Sequence, residues 1–155
     1  MSRYRELSLS GELGRGAAVF DSASEAVLSL RMHREAGVKM RMPTDRVRLG
    51  DVIRLSFGIG PLAVRGSCDV IAVVDQPRRR GFRYRTRPDH PEEGEESFFV
   101  NWSDDDQVVV TVESRSRPNS LLIKLGGPVS RLGQLLVNRR YVSTLKRIVA
   151  TATAG

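Results

Sequence analysis

The chain has 155 residues, of which 40% are hydrophobic and 28% charged, which is the composition of an ordinary globular protein with one core. No apolar run approaches the roughly 20 residues that a membrane span needs. The first residues lack a signal-peptide core, and the single cysteine, Cys68, cannot form an internal disulfide. We therefore expect a cytoplasmic protein, and the sequence indicates neither a metal site nor a cofactor.

The net charge of +7 is unevenly distributed along the chain. Eight basic residues and no acidic residue follow Glu113, while six arginines crowd residues 78–87 and eight acidic residues lie within 89–106. Such blocks can attract nucleic acid, anionic lipid, an acidic protein or an anionic ligand. Neighbouring blocks of opposite sign can equally neutralise each other on the surface, so both interpretations stay open.

The N-terminal part predicts one helix. Residues 1–20 show weak periodicity, and we expect a loosely structured segment with at most a short strand. Ser22 and Glu25 have the spacing of a capping box, and apolar residues then recur at helical intervals. Gly37 is suited to a helix C-terminus. The pattern therefore predicts a helix over residues 22–36.

The middle of the chain predicts about six strands, because apolar and polar residues alternate there in short runs. The runs lie near residues 38–42, 52–57, 62–74, 82–87, 98–102 and 108–113. The polar segment 103–106 is typical of a turn, so the last two strands should form a hairpin and the sheet should be antiparallel.

The last third predicts helix. Residues 121–125 could form one or two turns before the glycines that precede Pro128, which is well placed to begin a long helix. Arg139 falls within the apolar stripe and should point outward as the helix curves. The residues expected on the buried side are Val129, Leu132, Leu135, Leu136, Val142, Leu145 and Val149.

This order of elements predicts an α+β fold. A curved antiparallel sheet of about six to seven strands, wrapped on a long C-terminal helix, buries the apolar faces of both. We expect one domain over residues 21–150, preceded by the loose segment 1–20 and followed by a tail at 151–155.

Residues 81–100 contain the groups best suited to chemistry. Tyr84 and Thr86 should share one strand face, and the following loop places His90 among glutamates. A nearby carboxylate would raise the pKa of His90 and suit it to acid–base catalysis. A solvated histidine that only stabilises the loop is the alternative.

Glu96 should face the interior of the sheet, with Glu95 on the other side. A buried carboxylate needs a partner, for which Arg115 and Arg117 are candidates. His33 is expected on the surface or with its hydrogen bonds satisfied, and Cys68 should be inert.

The same segment resembles the uncharacterised protein family 0548, a domain of unknown function, found in bacteria and plants. The matching residues are Phe82, Tyr84, Thr86, Pro88, His90, Gly94, Glu95, Glu96 and Phe98. Residues 30–37, 114–118 and the helix with Gln134 and Tyr141 also look like that family. Arg85, Arg87 and Leu30 depart from its pattern. The resemblance implies no assigned activity, but it implies a helix-grip, START-like (SRPBCC-like) fold, whose superfamily includes hydrophobic-ligand carriers and polyketide cyclases.

Three functions are compatible with these observations. The first is binding of a small hydrophobic or amphipathic molecule in a cavity between sheet and helix, with a cyclase- or dehydratase-like reaction as an open option and an acidic protein as a further partner. The second is nucleic-acid binding, and the third is protein interaction without a small ligand. For the first function the expected catalytic residues are His90, Glu96 and Tyr84, and the expected ligand-binding residues are Thr86, Glu95, Arg115, Arg117 and Gln134.

Overall fold

A computed structural model describes residues 3–58, 60–118 and 127–154, without the side chains of residues 62 and 127–131. Seven strands, three α-helices and a short 3-10 helix at Gly60–Leu62 lie in these ranges. The strands are β1 (Arg5–Arg15), β2 (Lys39–Arg41), β3 (Val52–Phe57), β4 (Val64–Gln76), β5 (Arg79–Thr86), β6 (Glu92–Trp102) and β7 (Gln107–Pro118). The helices are α1 (Ala17–Leu28), α2 (Arg31–Glu35) and α3 (Gly127–Thr153).

The seven strands form one antiparallel sheet in the order β1-β7-β6-β5-β4-β3-β2. The register shifts between Glu12 and Gly14 in β1 and between Val70 and Ala72 in β4, and such irregularities bend a sheet and increase its twist. The curved sheet holds the long helix α3, so the predicted α+β architecture and the hairpin of β6 and β7 are confirmed.

The core lies between the inner face of the sheet and the three helices. Inward side chains of the central strands, such as Phe82, Phe98 and Val112, are buried there, because side chains alternate across a strand. A side chain at Gly11 of β1 would collide with Val142 of α3, so this glycine allows the helix to approach the sheet closely. In the described part of the chain, no helix is long and apolar enough to cross a bilayer.

The N-terminal segment is more ordered than the sequence suggested. Residues 5–15 form β1, which pairs with β7 over its whole length, so the expected loose segment over residues 1–20 is corrected. The strand alternates, with Leu7, Leu9 and Leu13 inward and polar residues between them, but the glycines and serines of this segment are also typical of loops. The sheet therefore includes residues upstream of position 21.

The predicted helix over 22–36 is in fact two helices. Gly16, with a φ of 93°, leads from β1 directly into α1, so Ser22 lies inside the helix and does not cap it. The chain then bends at Leu30, whose φ of 63° is rare for a non-glycine residue, before α2 begins. Gly37 follows the end of α2 with a φ of 99°, as the sequence predicted.

Helix α3 buries a different stripe in its first half from the one predicted. Leu132 and Leu136 are 56% and 49% exposed, whereas the polar residue Asn138 is buried. The second half follows the prediction, with Val142, Leu145 and Val149 in the core. Arg139 is exposed, as expected. Residues 121–125, predicted as one or two turns, lie outside the described residues, as does the side chain of Val129.

Candidate functional site

A hydrogen-bonded tyrosine–glutamate pair lies on the inner face of the sheet. Tyr84 of β5 and Glu96 of β6 stand directly opposite each other in the register, and Phe82 and Phe98 form the next inward pair. The Tyr84 hydroxyl donates a hydrogen bond of 3.0 Å to Oε2 of Glu96. Alternation along both strands thus places a carboxyl group within a mainly apolar layer.

Helix α3 and strand β7 add further polar groups beside this pair. The Gln134 amide of α3 donates from Nε2 to the hydroxyls of Ser114 at 3.2 Å and Ser116 at 3.4 Å, and it lies close enough to Glu96 to lower the pKa of that carboxyl group. Both serines are buried. We call Tyr84, Glu96, Ser114, Ser116 and Gln134 together the inner site.

The electrostatics of the inner site follow from its burial. Desolvation raises the pKa of Glu96 to about 7, with a further increase from Glu92, although the hydrogen bonds from Tyr84 and Gln134 lower it. Desolvation and the neighbouring Glu96 also raise the pKa of Tyr84 well above its ordinary value, so this hydroxyl keeps its proton. The pair therefore combines a permanent donor with a carboxyl group that titrates near neutral pH.

Aromatic rings surround the pair. Tyr84 contacts Phe98 edge to face at a centroid distance of 5.6 Å, and Phe98 contacts Tyr141 of α3 in the same manner at 5.7 Å. Tyr141 is buried, and desolvation followed by the charge of Glu96 raises its pKa well above the ordinary value. The inner site thus has polar groups at one end and aromatic surface at the other.

His33 of α2 belongs to this aromatic layer and was not expected there. Its ring lies 4.4 Å from Phe98 and 4.7 Å from Tyr141, and it is fully buried, with neither nitrogen hydrogen-bonded to any residue that the structure describes. Desolvation, and then the charge of Arg34, lowers the pKa of His33 to about 3, so the imidazole is neutral. The expectation of a surface or hydrogen-bonded histidine is therefore wrong, and nothing in a helix this short would have revealed it.

His90 lies apart from the inner site, in the loop between β5 and β6. Its Nδ1 accepts a hydrogen bond of 3.0 Å from the backbone N–H of Glu92, and its ring packs on Gly66, where a side chain would find no room. Burial lowers the pKa of His90 despite opposing effects of Glu92 and Asp89. The predicted rise is thus wrong, because loss of hydration outweighs the neighbouring carboxylates.

Glu95, Arg115 and Arg117 lie on the outer face. Glu95 pairs with Arg85 at 2.7 Å, Arg115 with Glu6 at 3.6 Å and Arg117 with Glu93 at 2.8 Å. Neither arginine is therefore the partner of Glu96, contrary to the expectation. The alternation of β7 could have shown this, since inward Val108, Val110 and Val112 are continued by Ser114 and Ser116.

Thr86 lies at the end of β5, where its Oγ1 accepts a hydrogen bond of 2.9 Å from the backbone N–H of Gly94. With Glu95 and Arg115 it lines an open depression of about 500 Å³. Of the eight predicted site residues, the structure thus brings together Tyr84, Glu96 and Gln134 in the inner site. Within the described ranges, no group of three or more His, Cys, Asp or Glu side chains is arranged to hold a metal.

Comparison with known proteins identifies a family and a fold. The model of a family described as a domain of unknown function, DUF1990, matches residues 2–144. No curated protein matches the chain in sequence.

Solved structures share the fold at low sequence identity. Truncated norcoclaurine synthase from Thalictrum flavum is 13% identical, with a TM-score of 0.63 over 96% of this chain and 94% of that one. The same enzyme in complex with dopamine and hydroxybenzaldehyde is 14% identical, with a TM-score of 0.62 over 97% and 88%. Ginseng major latex-like protein 151 from Panax ginseng is 16% identical, with a TM-score of 0.55 over 90% and 96%. These similarities establish the helix-grip, START-like fold.

Proposed function

Because the chain belongs to the DUF1990 family, whose function is unknown, its activity must be argued from its own site, and we propose that it binds a small hydrophobic or amphipathic molecule between the inner face of the sheet and α3. The observation that carries this proposal is the Tyr84–Glu96 pair. We also propose that the protein works in the cytoplasm.

Burying the carboxyl group of the inner site makes an unfavourable contribution to the free energy of folding. A carboxyl group taken from water into an apolar layer is destabilising unless a partner compensates it, and the groups bonded to Glu96 are a phenol and an amide, both neutral. Opposite it, α3 presents Gln134 to the sheet while Leu132 and Leu136 stay exposed. Local departures from an apolar interior are typical of functional sites.

The chemistry of the inner site defines the class of ligand. Tyr141 and Phe98, which pack on each other in the core, are the aromatic groups of this region, and Tyr84, Glu96 and Gln134 are its hydrogen-bonding groups. A ligand with a ring and one polar substituent would match both kinds of group. The complex of norcoclaurine synthase with dopamine and hydroxybenzaldehyde, two small aromatic molecules, supports this choice by analogy of fold.

A second function, acid–base catalysis of a cyclase- or dehydratase-like reaction, is favoured by the same pair. With a pKa of about 7, Glu96 can accept a proton from a bound molecule in its ionised form and return it in its neutral form. Tyr84, which stays protonated, would donate a hydrogen bond to a developing oxyanion. In this proposal Tyr84 and Glu96 are the catalytic residues, and His90 has no part.

Nucleic-acid binding receives less support. Within the arginine block of residues 78–87, Arg80 pairs with Asp21 and Asp75, Arg85 with Glu95, and Arg87 with Asp69. These arginines are engaged by carboxylates of the same chain. We expect random DNA to bind weakly even at low salt, where phosphate contacts are strongest.

The experiment is a two-dimensional NMR titration with 4-hydroxybenzaldehyde, preceded by native mass spectrometry of freshly purified protein. We expect a co-purifying small molecule, or shifts confined to Tyr84, Glu96, Gln134 and their neighbours. Glu96→Gln should weaken binding of the aldehyde, whereas its sequence neighbour Glu95→Gln, on the outer face, should not. A protein without a co-purifying molecule and without shifts at the inner site would refute the proposal.

A further inference from the structure

Opposite charges face each other across the outer side of most of the sheet. Register pairs between β1 and β7, β6 and β7, and β5 and β6 place Glu6 opposite Arg115, Glu93 opposite Arg117 and Glu95 opposite Arg85. Each of these pairs forms an ion pair in the structure. We call this region the charge-matched part of the outer face: Arg85, Arg115 and Arg117 each have an acidic residue of the same chain across from them, whereas Arg79 faces Asn101 and Arg83 faces Ser97.

Strands β2 to β4 break this pattern. Arg41 of β2 stands directly opposite Arg54 of β3, and like charges in such positions are destabilising. Lys39 and Arg65 flank Ser56 from the two sides of β3. These four side chains are exposed, and none has an ion-pair partner among the described residues. The residues outside the described ranges contain no Asp or Glu that could supply one.

The four cations border one open groove of about 1330 Å³. Its other charged residues are Arg87, which pairs with Asp69 at 2.8 Å, and Asp89, whose carboxylate accepts hydrogen bonds from Ser67; the lining as a whole remains positively charged. Arg41 and Arg54 alternate with the buried Met40 and Ile53, so they point away from the core. We call this depression, with Lys39, Arg41, Arg54 and Arg65, the basic groove.

We propose that the basic groove binds an acidic segment of a partner protein. Guanidinium groups pair with carboxylates through two parallel hydrogen bonds, and three of the four uncompensated cations are arginines. The groove also contains Pro43, Val52 and Leu55, which would contact apolar side chains of a peptide. It borders β2, the edge strand of the sheet, beside which an extended peptide can lie.

The shape and lining of the groove favour a peptide over other polyanions. Its described lining includes no aromatic side chain on which the bases of a single strand could stack. Its concave form does not match the plane of a lipid surface. This site is distinct from the inner site, and it gives the protein a second binding function besides the proposed small-molecule site.

The experiment measures fluorescence anisotropy of a short labelled peptide rich in glutamate, at low and at physiological salt. The variant R41Q/R54Q removes two uncompensated arginines, and R85Q/R117Q removes two arginines of the charge-matched part with the same change in net charge. We expect about a tenfold loss of affinity for the first and about twofold or less for the second, because the second pair already has internal partners.

Several outcomes would overturn the proposal. Equal losses for the two variants would show that net charge alone attracts the peptide. Tighter binding of a single-stranded oligonucleotide or of phosphatidylserine vesicles would assign the groove to another polyanion. Absence of peptide binding at low salt would show that the basic groove is not a binding site for acidic peptides. All four substituted positions are exposed or partly exposed, and thermal unfolding of each variant would verify that the fold is retained.

Discussion

The two faces of the β5–β6 hairpin each carry a glutamate, and the surroundings of the two side chains differ. Glu95 and Glu96 are adjacent in sequence, and the residues opposite them, Arg85 and Tyr84, are adjacent too. On the outer face Glu95 meets a cation in a partly exposed ion pair. On the inner face the Glu96 carboxyl group accepts a hydrogen bond from the Tyr84 phenol and lies near the Gln134 amide, with no cation beside it among the described residues. One register step thus separates a carboxylate held in an ion pair on the outer face from one whose pKa burial raises to about 7.

The largest effect expected from this contrast comes from His33, a further buried titratable group of the inner side. Its lowered folded-state pKa of about 3 means that the unfolded chain binds a proton below pH 6.5 that the folded protein does not accept. Stability is therefore lost as pH falls from about 6.5 to about 3. His33→Leu should gain about 3 kcal/mol more, relative to wild type, at pH 4 than at pH 8.

Urea unfolding of both proteins at these two pH values measures that difference. The control is Glu35→Gln on the same helix, which breaks an exposed ion pair with Arg31 and should change stability by about 1 kcal/mol or less. A gain for His33→Leu that is the same at both pH values would contradict a neutral, unpartnered imidazole.

Glu96→Gln should show a pH dependence of the opposite sign. Because its folded-state pKa is raised from 4.5 to about 7, the folded protein retains a proton that the unfolded chain has lost, and stability falls as pH rises between these values. The gain of Glu96→Gln over wild type should be about 2 kcal/mol larger at pH 8 than at pH 5. Urea unfolding again measures it, with Glu95→Gln expected to change stability by about 1 kcal/mol or less. The same pH dependence of stability in Glu96→Gln and Glu95→Gln would contradict the difference between the inner and outer faces.

The smallest effect concerns the residues opposite the two glutamates. Tyr84→Phe removes the hydrogen bond to Glu96 and should cost about 1 kcal/mol. Since that bond lowers the pKa of Glu96, its removal should move the pKa above about 7, as a carbon-13 NMR titration of the carboxyl group would report. Arg85→Met, on the outer face, should leave the Glu96 titration unchanged. An unaltered pKa in Tyr84→Phe would show that the hydroxyl does not influence the carboxyl group.

Strand periodicity explains how much of the fold and the site could be predicted. A period of two residues identified β2 to β7 and placed Tyr84, Thr86 and Glu96 on one side with Glu95 on the other. The β1 edge strand was missed although Leu7, Leu9 and Leu13 alternate with polar residues, because the glycines and serines of this segment suggested a loop. Periodicity gives the face of a residue and says nothing of its distance from residues on other elements.

Predictions from charge and hydrophobicity were wrong at the positions where the inner site departs from ordinary packing. Matching Glu96 with Arg115 or Arg117 followed the rule that buried charges are paired, but here neutral groups satisfy the carboxyl group. Placing Leu132 and Leu136 inward followed the rule that helices bury their leucines, but the facing sheet surface carries Ser114 and Ser116. Both errors fall at the inner site, where polar groups replace the apolar contacts that the patterns assume.

Helix α3 therefore contacts the rest of the protein in two ways, through apolar packing in its second half and through hydrogen bonds in its first half. Beyond Tyr141 it is held by Val142, Leu145, Ile148 and Val149, whose contacts are apolar and cooperative. Around Gln134 it is held by hydrogen bonds to Ser114 and Ser116, each worth only about 1 kcal/mol. The proposed ligand would therefore compete with these hydrogen bonds, while the apolar contacts beyond Tyr141 would stay intact.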